Sequence, residues 1–406
     1  MRSEIVKPIT RQYYANKIDA WLGKGQIIVL TGQRRVGKSY ILKDFIERHK
    51  EDSNSNFIYI DKERKKFDEI LNYEQLNAYV ETQKQEGLHN FIIIDEVQEI
   101  DGWEKSVRSY RLEDNVDILI TGSNSQMLSS ELSTLIGGRY QEINIQSLCY
   151  TEFLVFHNLE DSDESLWKYI NYGGLPGLIQ VGIDNDEFIW EYIKGVFYTV
   201  VLKDIVERQS VRNLTFLNRL LRYFADTIGK LTSMNNISKF MKSQGVDIAV
   251  KSISSYLSYY KDAYLLSTVE RFDIHGKRIL ESNEKIYFGD LGLRNFISGG
   301  EREGDIEKVI ENIVYLQLTR MGYNITVGQL KAGEVDFVCT KPNERIYVQV
   351  SYLIATKETE EREFGALSSI NDNYPKYVIS MTPLIKRSDK DGIIHIGLRN
   401  FLKNGF

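Results

Sequence analysis

The sequence predicts an α/β fold whose first 150 residues form a parallel sheet with helices on both faces. Three observations carry this. Short, nearly continuous apolar runs alternate with helical segments up to about residue 145. A loop containing two glycines joins the first run to a helix. Beyond residue 150 the pattern turns helical, and strands return in number only near the C-terminus. Strands buried on both faces lose the in–out alternation of a half-exposed sheet, so continuous apolar runs between helices indicate parallel pairing.

Residues 26–31 (QIIVLT) read as the first strand and 40–50 as the helix after it. Residues 56–61 (NFIYID) are a second strand and 73–86 a second helix. Residues 91–95 (FIIID), 118–121 (ILIT) and 140–145 read as further strands. Residues 151–213 read as a helical lid or connector, interrupted at Tyr172-Gly173-Gly174-Leu175-Pro176-Gly177. Residues 214–297 give three helices and a hairpin, the order of a winged helix. Leu217, Leu220, Leu221 and Phe224 share one face of the first helix. Ser233 caps the second and Gly245 ends it, and Ile253, Tyr256, Leu257 and Tyr260 line the third. Strands at 265–272 and 285–288 flank the turn His275-Gly276-Lys277. Residues 298–406 are mixed α/β. A helix at 306–321 precedes a strand at 323–327, a hairpin at 334–339 and 345–352, a helix at 360–370 and a strand at 376–380.

A chain of 406 residues implies two or three domains. Its net charge of -6 argues against wholesale electrostatic binding of nucleic acid, while leaving room for a local basic patch. Such a patch is suggested by Lys239, Lys242, Lys251, Lys261, Lys277 and Arg278, interleaved with Tyr256, Tyr259 and Tyr260. Cys149 and Cys339 are far apart without neighbouring ligand types, which excludes a disulfide framework or zinc site and leaves two small buried hydrophobes. The N-terminus lacks an apolar signal region and no run is long enough to span a bilayer, so a cytoplasmic protein without membrane contact is expected.

The chemistry concentrates in Gly32-Gln33-Arg34-Arg35-Val36-Gly37-Lys38-Ser39, which fits G-x-x-x-x-G-K-[ST] between a strand and a helix. Gly32 and Gly37 let the backbone curl so that its N–H groups face phosphate. The helix start adds positive potential. Lys38 is expected on the β- and γ-phosphates, Ser39 on Mg²⁺, and Tyr40 beside them. Arg34 and Arg35 lie inside the loop. Asp95 and Glu96 end an apolar strand at the sheet edge where α/β folds bind ligands. Asp95 suits Mg²⁺ through water and Glu96 suits activation of the attacking water. Ser123 and Asn124, at the end of the next strand, are candidates to sense the γ-phosphate, or they simply cap a turn. Arg139 follows two glycines and is a candidate to neutralise phosphate charge, from its own chain or a neighbour's. With no Asn/Thr-Lys-x-Asp guanine-reading motif, ATP with Mg²⁺ is the expected cofactor.

As a set, GQRRVGKS, FIIIDEVQEI, ILITGSNSQML and LIGGRYQEI resemble the AAA+-type P-loop ATPases described as AAA_14 with a C-terminal DUF4143 domain. YGGLPGL, LKDIVER, YFGDLGLR, ENIVYLQL and GEVDFV extend the resemblance over nearly the whole chain. It implies a P-loop NTPase (AAA+/ASCE) sheet, a winged-helix-like middle and a PD-(D/E)xK nuclease-like end. In that nuclease pattern a helix Glu, a strand Asp and a Glu-x-Lys surround a metal. Glu311 and Asp336 are in place, but Gln349 stands at the Glu position and Ser351 at the Lys position, which implies a degenerate nuclease used for binding. Three functions compete: an ATPase that moves its C-terminal domains on DNA or a protein, a slow ATP-gated switch, and an ATP-regulated metal-dependent nuclease. An oligomer is implied only by analogy.

Overall fold

The computed structural model of the chain describes residues 8–122, 136–209, 211, 213–300, 305–331 and 333–406. They fall into two compact units, Met1–Gln146 with Asp262–Tyr264, and Ser147–Lys261 with Leu265–Phe406.

The first unit contains α1 (Gln12–Asp19), β1 (Ile27–Thr31), α2 (Lys38–His49), β2 (Ser55–Asp61), α3 (Tyr73–Gln83), β3 (His89–Asp95), α4 (Trp103–Tyr110), β4 (Val116–Thr121) and β5 (Tyr140–Asn144). The strands form one sheet in the order β2-β3-β4-β1-β5, and every neighbouring pair is parallel. Residues of β1 and β4 are all buried, as their unbroken apolar runs require. Ile27 and Val29 pack on one face with Val80, Trp103 and Val107. Ile28 and Leu30 pack on the other with Ile18, Leu42 and Phe45. The expected α/β sandwich is therefore present, with each strand within two residues of its predicted start. Its α3 starts at an Asn72 side chain that accepts from the N–H groups of Glu74 and Gln75, both at 3.1 Å.

The second unit opens with helices α5 (Tyr150–His157), α6 (Asp163–Tyr172), α7 (Leu178–Val181) and α8 (Asp186–Thr199), which continues as a π-helical stretch over Val200–Glu207. Helices α9 (Leu214–Asp226), α10 (Met234–Ser243) and α11 (Val250–Asp262) follow, then strands β6 (Leu266–Asp273) and β7 (Arg278–Phe288). Ser233 caps α10 by accepting from Asn236 N at 3.2 Å, and Gly245 beyond it has φ 77°. After α12 (Leu291–Ser298) come α13 (Ile306–Arg320), β8 (Asn324–Leu330), β9 (Gly333–Lys341), β10 (Glu344–Ser351), α14 (Lys357–Ser368), β11 (Lys376–Ser380), β12 (Arg387–Lys390), β13 (Ile393–Gly397) and α15 (Leu398–Asn404).

The hairpin β6–β7 is not self-contained. Arg271 to Asp273 of β6 pair in parallel with Val327 to Gln329 of β8, giving one eight-stranded sheet, β12-β13-β11-β10-β9-β8-β6-β7. Segments 214–297 and 298–406 thus share a sheet across the boundary drawn between them. Strand β7 also begins at Arg278, seven residues before its expected start, because the hairpin is zipped from Asp273↔Arg278 upward.

His157, in α5, gives this unit an acid-sensitive point. Its ring lies 4.6 Å from that of Phe153, and its Nε2 is buried with no hydrogen-bond partner among the described residues. Burial pulls its pKa down to about 4, against a small opposing effect of Asp184. The unfolded histidine takes a proton below about 6.5, while the folded one resists until about 4. Its contribution is therefore present above the unfolded pKa and is lost as pH falls through that window. Allowing for partial exposure, the loss is about 1 kcal/mol or more. The drop in melting temperature between pH 7 and pH 5 should be smaller in His157→Phe. An equal drop would assign the sensitivity elsewhere.

Candidate nucleotide site

β1 ends at the sheet's C-terminal edge, and the chain turns through Gly32–Ser39 into α2. Gly32 has φ 130°, and a Cβ there would stand 2.1 Å from the Ile145 carbonyl oxygen, so only glycine fits. Gly37 (φ 96°) and Arg35 (φ 70°) also take left-handed backbone. Helix α2 begins at Lys38, where its first N–H groups lack intrahelical partners and attract anions.

Lys38 is buried, and its ammonium donates to the carbonyls of Gly32 (2.8 Å) and Gln33 (3.1 Å). The side-chain amide of Gln33 is also buried, and neither polar atom has a hydrogen-bond partner among the described residues. Such a group costs free energy until something polar meets it. Arg11 braces the loop from behind, donating to the carbonyls of Val36 (3.1 Å) and Gln146 (2.9 Å).

β3 carries Asp95 to the same edge. Thr121, at the end of β4, donates to Asp95 Oδ1 at 2.6 Å and accepts from the Glu96 N–H at 2.9 Å. Tyr59 donates to Asp95 Oδ2 at 3.2 Å. Burial raises the Asp95 pKa; hydrogen bonds from Thr121 and Ser39 oppose this, and the charges of Glu96 and Asp61 add to it. Ser39 of the glycine loop thus lies close enough to the carboxylate to favour its charged form. Glu96 sits in left-handed backbone at φ 57° and ψ 55°, a conformation that costs of order 1 kcal/mol or more and clusters at functional sites. Its Oε2 accepts from Gln98 Nε2. Two carboxylates of different setting result: Asp95 held on both oxygens by Thr121 and Tyr59, Glu96 held by one side-chain amide.

The structure therefore brings Gly32, Gln33, Gly37, Lys38, Ser39, Asp95 and Glu96 to one edge of the sheet. Val36 points into the core, Arg35 and Tyr40 are exposed, and Arg34 lies 3.9 Å from Glu63. Ser123 and Asn124 lie outside the described residues. Arg139 needs correction as a contributor from its own chain. Its carbonyl accepts from the N–H of Ile27, the first residue of β1, and parallel register pairs Ile27 with Tyr140. Arg139 is thus at the opposite edge, about 15 Å of strand away from the loop. Sequence reasoning missed Thr121, Tyr59 and Gln98. Thr121 was legible in principle, since Ile94 pairs with Ile120 and the next residue must flank Asp95.

In the second unit Glu311 and Asp336 do converge, on a buried lysine that the sequence reading did not consider. Lys285 of β7 donates to both, at 2.7 and 3.0 Å. Gln349 accepts from the Asp336 N–H at 3.2 Å.

Residues 24–154 match a family model described as an AAA domain (AAA_14), and residues 163–303 match a domain of unknown function, DUF8612. An uncharacterized protein of Haemophilus influenzae is 33% identical over 398 residues, covering 95% of this chain and 96% of that one. The uncharacterized protein MJ1544 of Methanocaldococcus jannaschii is 32% identical over 368 residues, covering 86% and 79%. Among solved structures, the Walker-type ATPase PABY2304 of Pyrococcus abyssi superposes with a TM-score of 0.50 at 16% identity, over 71% of this chain and 95% of that one. At that identity the likeness is one of fold. No described helix is long and apolar enough to cross a membrane.

Proposed function

This chain belongs to one family with those Haemophilus influenzae and Methanocaldococcus jannaschii proteins and carries an AAA-type P-loop ATPase domain, and from that premise we propose that it binds ATP with Mg²⁺ and hydrolyses it. The observation that carries the reading is the state of Lys38: a buried ammonium resting on loop carbonyls, within a loop whose Gly32 tolerates no side chain. Phosphate oxygens are better partners for that cation than carbonyls.

Lys38 and the N–H groups of residues 32–39 then hold the β- and γ-phosphates, with Gln33, Arg34, Arg35 and Tyr40 around them. Ser39 and Asp95 hold Mg²⁺, whose charge steadies the phosphate oxygens. Glu96 orients and deprotonates water. Ser123 and Asn124 are proposed as γ-phosphate contacts. Arg139, remote from its own loop, has a role only toward a neighbouring subunit's nucleotide. Hydrolysis drives movement of a winged-helix-like segment and a C-terminal segment of DUF4143 type, with DNA or a protein as partner. Lys239, Lys242, Lys251, Lys261, Lys277 and Arg278 are all exposed, which supports DNA.

Lys38→Ala should weaken ATP binding at least about 100-fold, since a buried charge-assisted contact is removed. Titration with a fluorescent ATP analogue reads this directly. Unchanged affinity would sink the phosphate site.

A further inference from the structure

Lys285 is among the most buried charges of the second unit, and the proposed ATPase chemistry does not use it. It comes from β7, and its side chain is 1% exposed. Its ammonium meets Glu311 Oε1 of α13 at 2.7 Å, Glu334 Oε1 of β9 at 2.5 Å and Asp336 Oδ1 of β9 at 3.0 Å. Two of the ammonium's N–H groups donate to Glu311 and Asp336, and Glu334 pairs with it as a third carboxylate.

The other oxygens of Asp336 and Glu311 are also held. Asp336 Oδ2 accepts from Val350 N at 2.9 Å, and Glu311 Oε2 accepts from Lys308 at 2.6 Å. Tyr287 donates to Glu311 Oε1 at 2.5 Å. Gln349 is turned away from the cage: its carbonyl takes the Asp336 N–H and its amide donates to Glu363 at 2.9 Å. Three carboxylates from a helix and a strand thus point at one centre, the arrangement that ordinarily surrounds a divalent cation. The centre is filled by a tethered one. Burial disfavours the charge on Lys285, but Asp336, Glu311 and Glu334 outweigh it and raise its pKa well above the ordinary value. Among the described residues no group of three His, Cys, Asp or Glu side chains is arranged to hold a metal, and these three carboxylates converge on the ammonium instead.

We propose that Lys285 is a built-in cation that takes the place of a divalent metal in the Glu311–Glu334–Asp336 cage, closing a latent metal site. The second unit then works as a metal-independent binding module. Breaking the hairpin's hold on Lys285 would be needed to open it. The inference stands apart from the ATPase reading, because none of these residues belongs to the first unit.

The test is Mn²⁺ binding to nucleotide-free full-length protein, followed by electron paramagnetic resonance, for wild type, Lys285→Ala and Lys285→Met. Each variant should gain one Mn²⁺ site at least about tenfold tighter than any in the wild type, and Asp336→Asn should abolish the gain. If loss of Lys285 destabilises the chain, Mn²⁺ should raise the melting temperature of the variants and leave that of the wild type in place. Variants that take up no Mn²⁺ and melt alike with and without it would overturn the proposal. So would a wild-type Mn²⁺ site that Asp336→Asn removes.

Discussion

Glu96→Gln is expected to lower steady-state ATP hydrolysis about 100-fold or more while leaving ATP affinity within about threefold. The geometry separates the two carboxylates' duties. Asp95 is fixed by Thr121 and Tyr59, one on each oxygen, so it is placed to hold a metal's water shell without moving. Glu96 has an oxygen engaged only by the Gln98 amide, on a backbone held in left-handed strain. A glutamine is isosteric, so it preserves the fold and the Gln98 contact, but it accepts no proton. Hydrolysis measured with Mg²⁺, alone and with single- or double-stranded DNA, distinguishes the readings. Turnover retained in Glu96→Gln would remove Glu96 from the chemistry. A wild type that binds ATP but never turns over would favour the slow switch.

The first unit was legible in the sequence because its signals are local. A buried parallel strand, a glycine loop and a helix start each declare themselves within a dozen residues. The second unit depends on pairings between distant segments. Nothing in residues 266–288 says that β6 will lie beside β8, and strand β12 has no apolar residue over Arg387–Lys390 to announce it. The same distance hid Lys285. The resemblance directs attention to Ser351, two residues beyond Gln349, for a missing lysine. The cation instead arrives from a strand 51 residues before Asp336. For Arg139 the sequence left a role in its own chain and one toward a neighbour both open, because proximity to β5 does not tell which end of the sheet a residue occupies; parallel register puts it at the end away from its own loop.

Asp290→Ala should destabilise the second unit by about 2–4 kcal/mol, because it strips partners from two buried N–H groups at once. Asp290 Oδ1 accepts from Leu293 N at 3.1 Å and caps α12, while Oδ2 accepts from Gly174 N at 2.9 Å. Burial raises the Asp290 pKa, and those N–H groups restrain the rise. The glycines around it are fixed by contact. A Cβ on Gly173 would lie 2.4 Å from Gly292 N, one on Gly174 would lie 2.2 Å from Leu148 O, and one on Gly292 would lie 2.1 Å from Tyr172 O. The two runs YGGLPGL and YFGDLGLR are therefore halves of one backbone junction between α6 and α12, and their glycines need no catalytic explanation. Asp290→Asn keeps the acceptor that caps α12 and should cost less than Asp290→Ala. Gly292→Ala should cost at least as much as Asp290→Ala, since backbone cannot move aside as a side chain can. Denaturant midpoints of the three variants give the order. If Asp290→Ala proved as stable as wild type, the junction would not hold α12, and the two glycine-containing runs would have to be explained by a ligand instead.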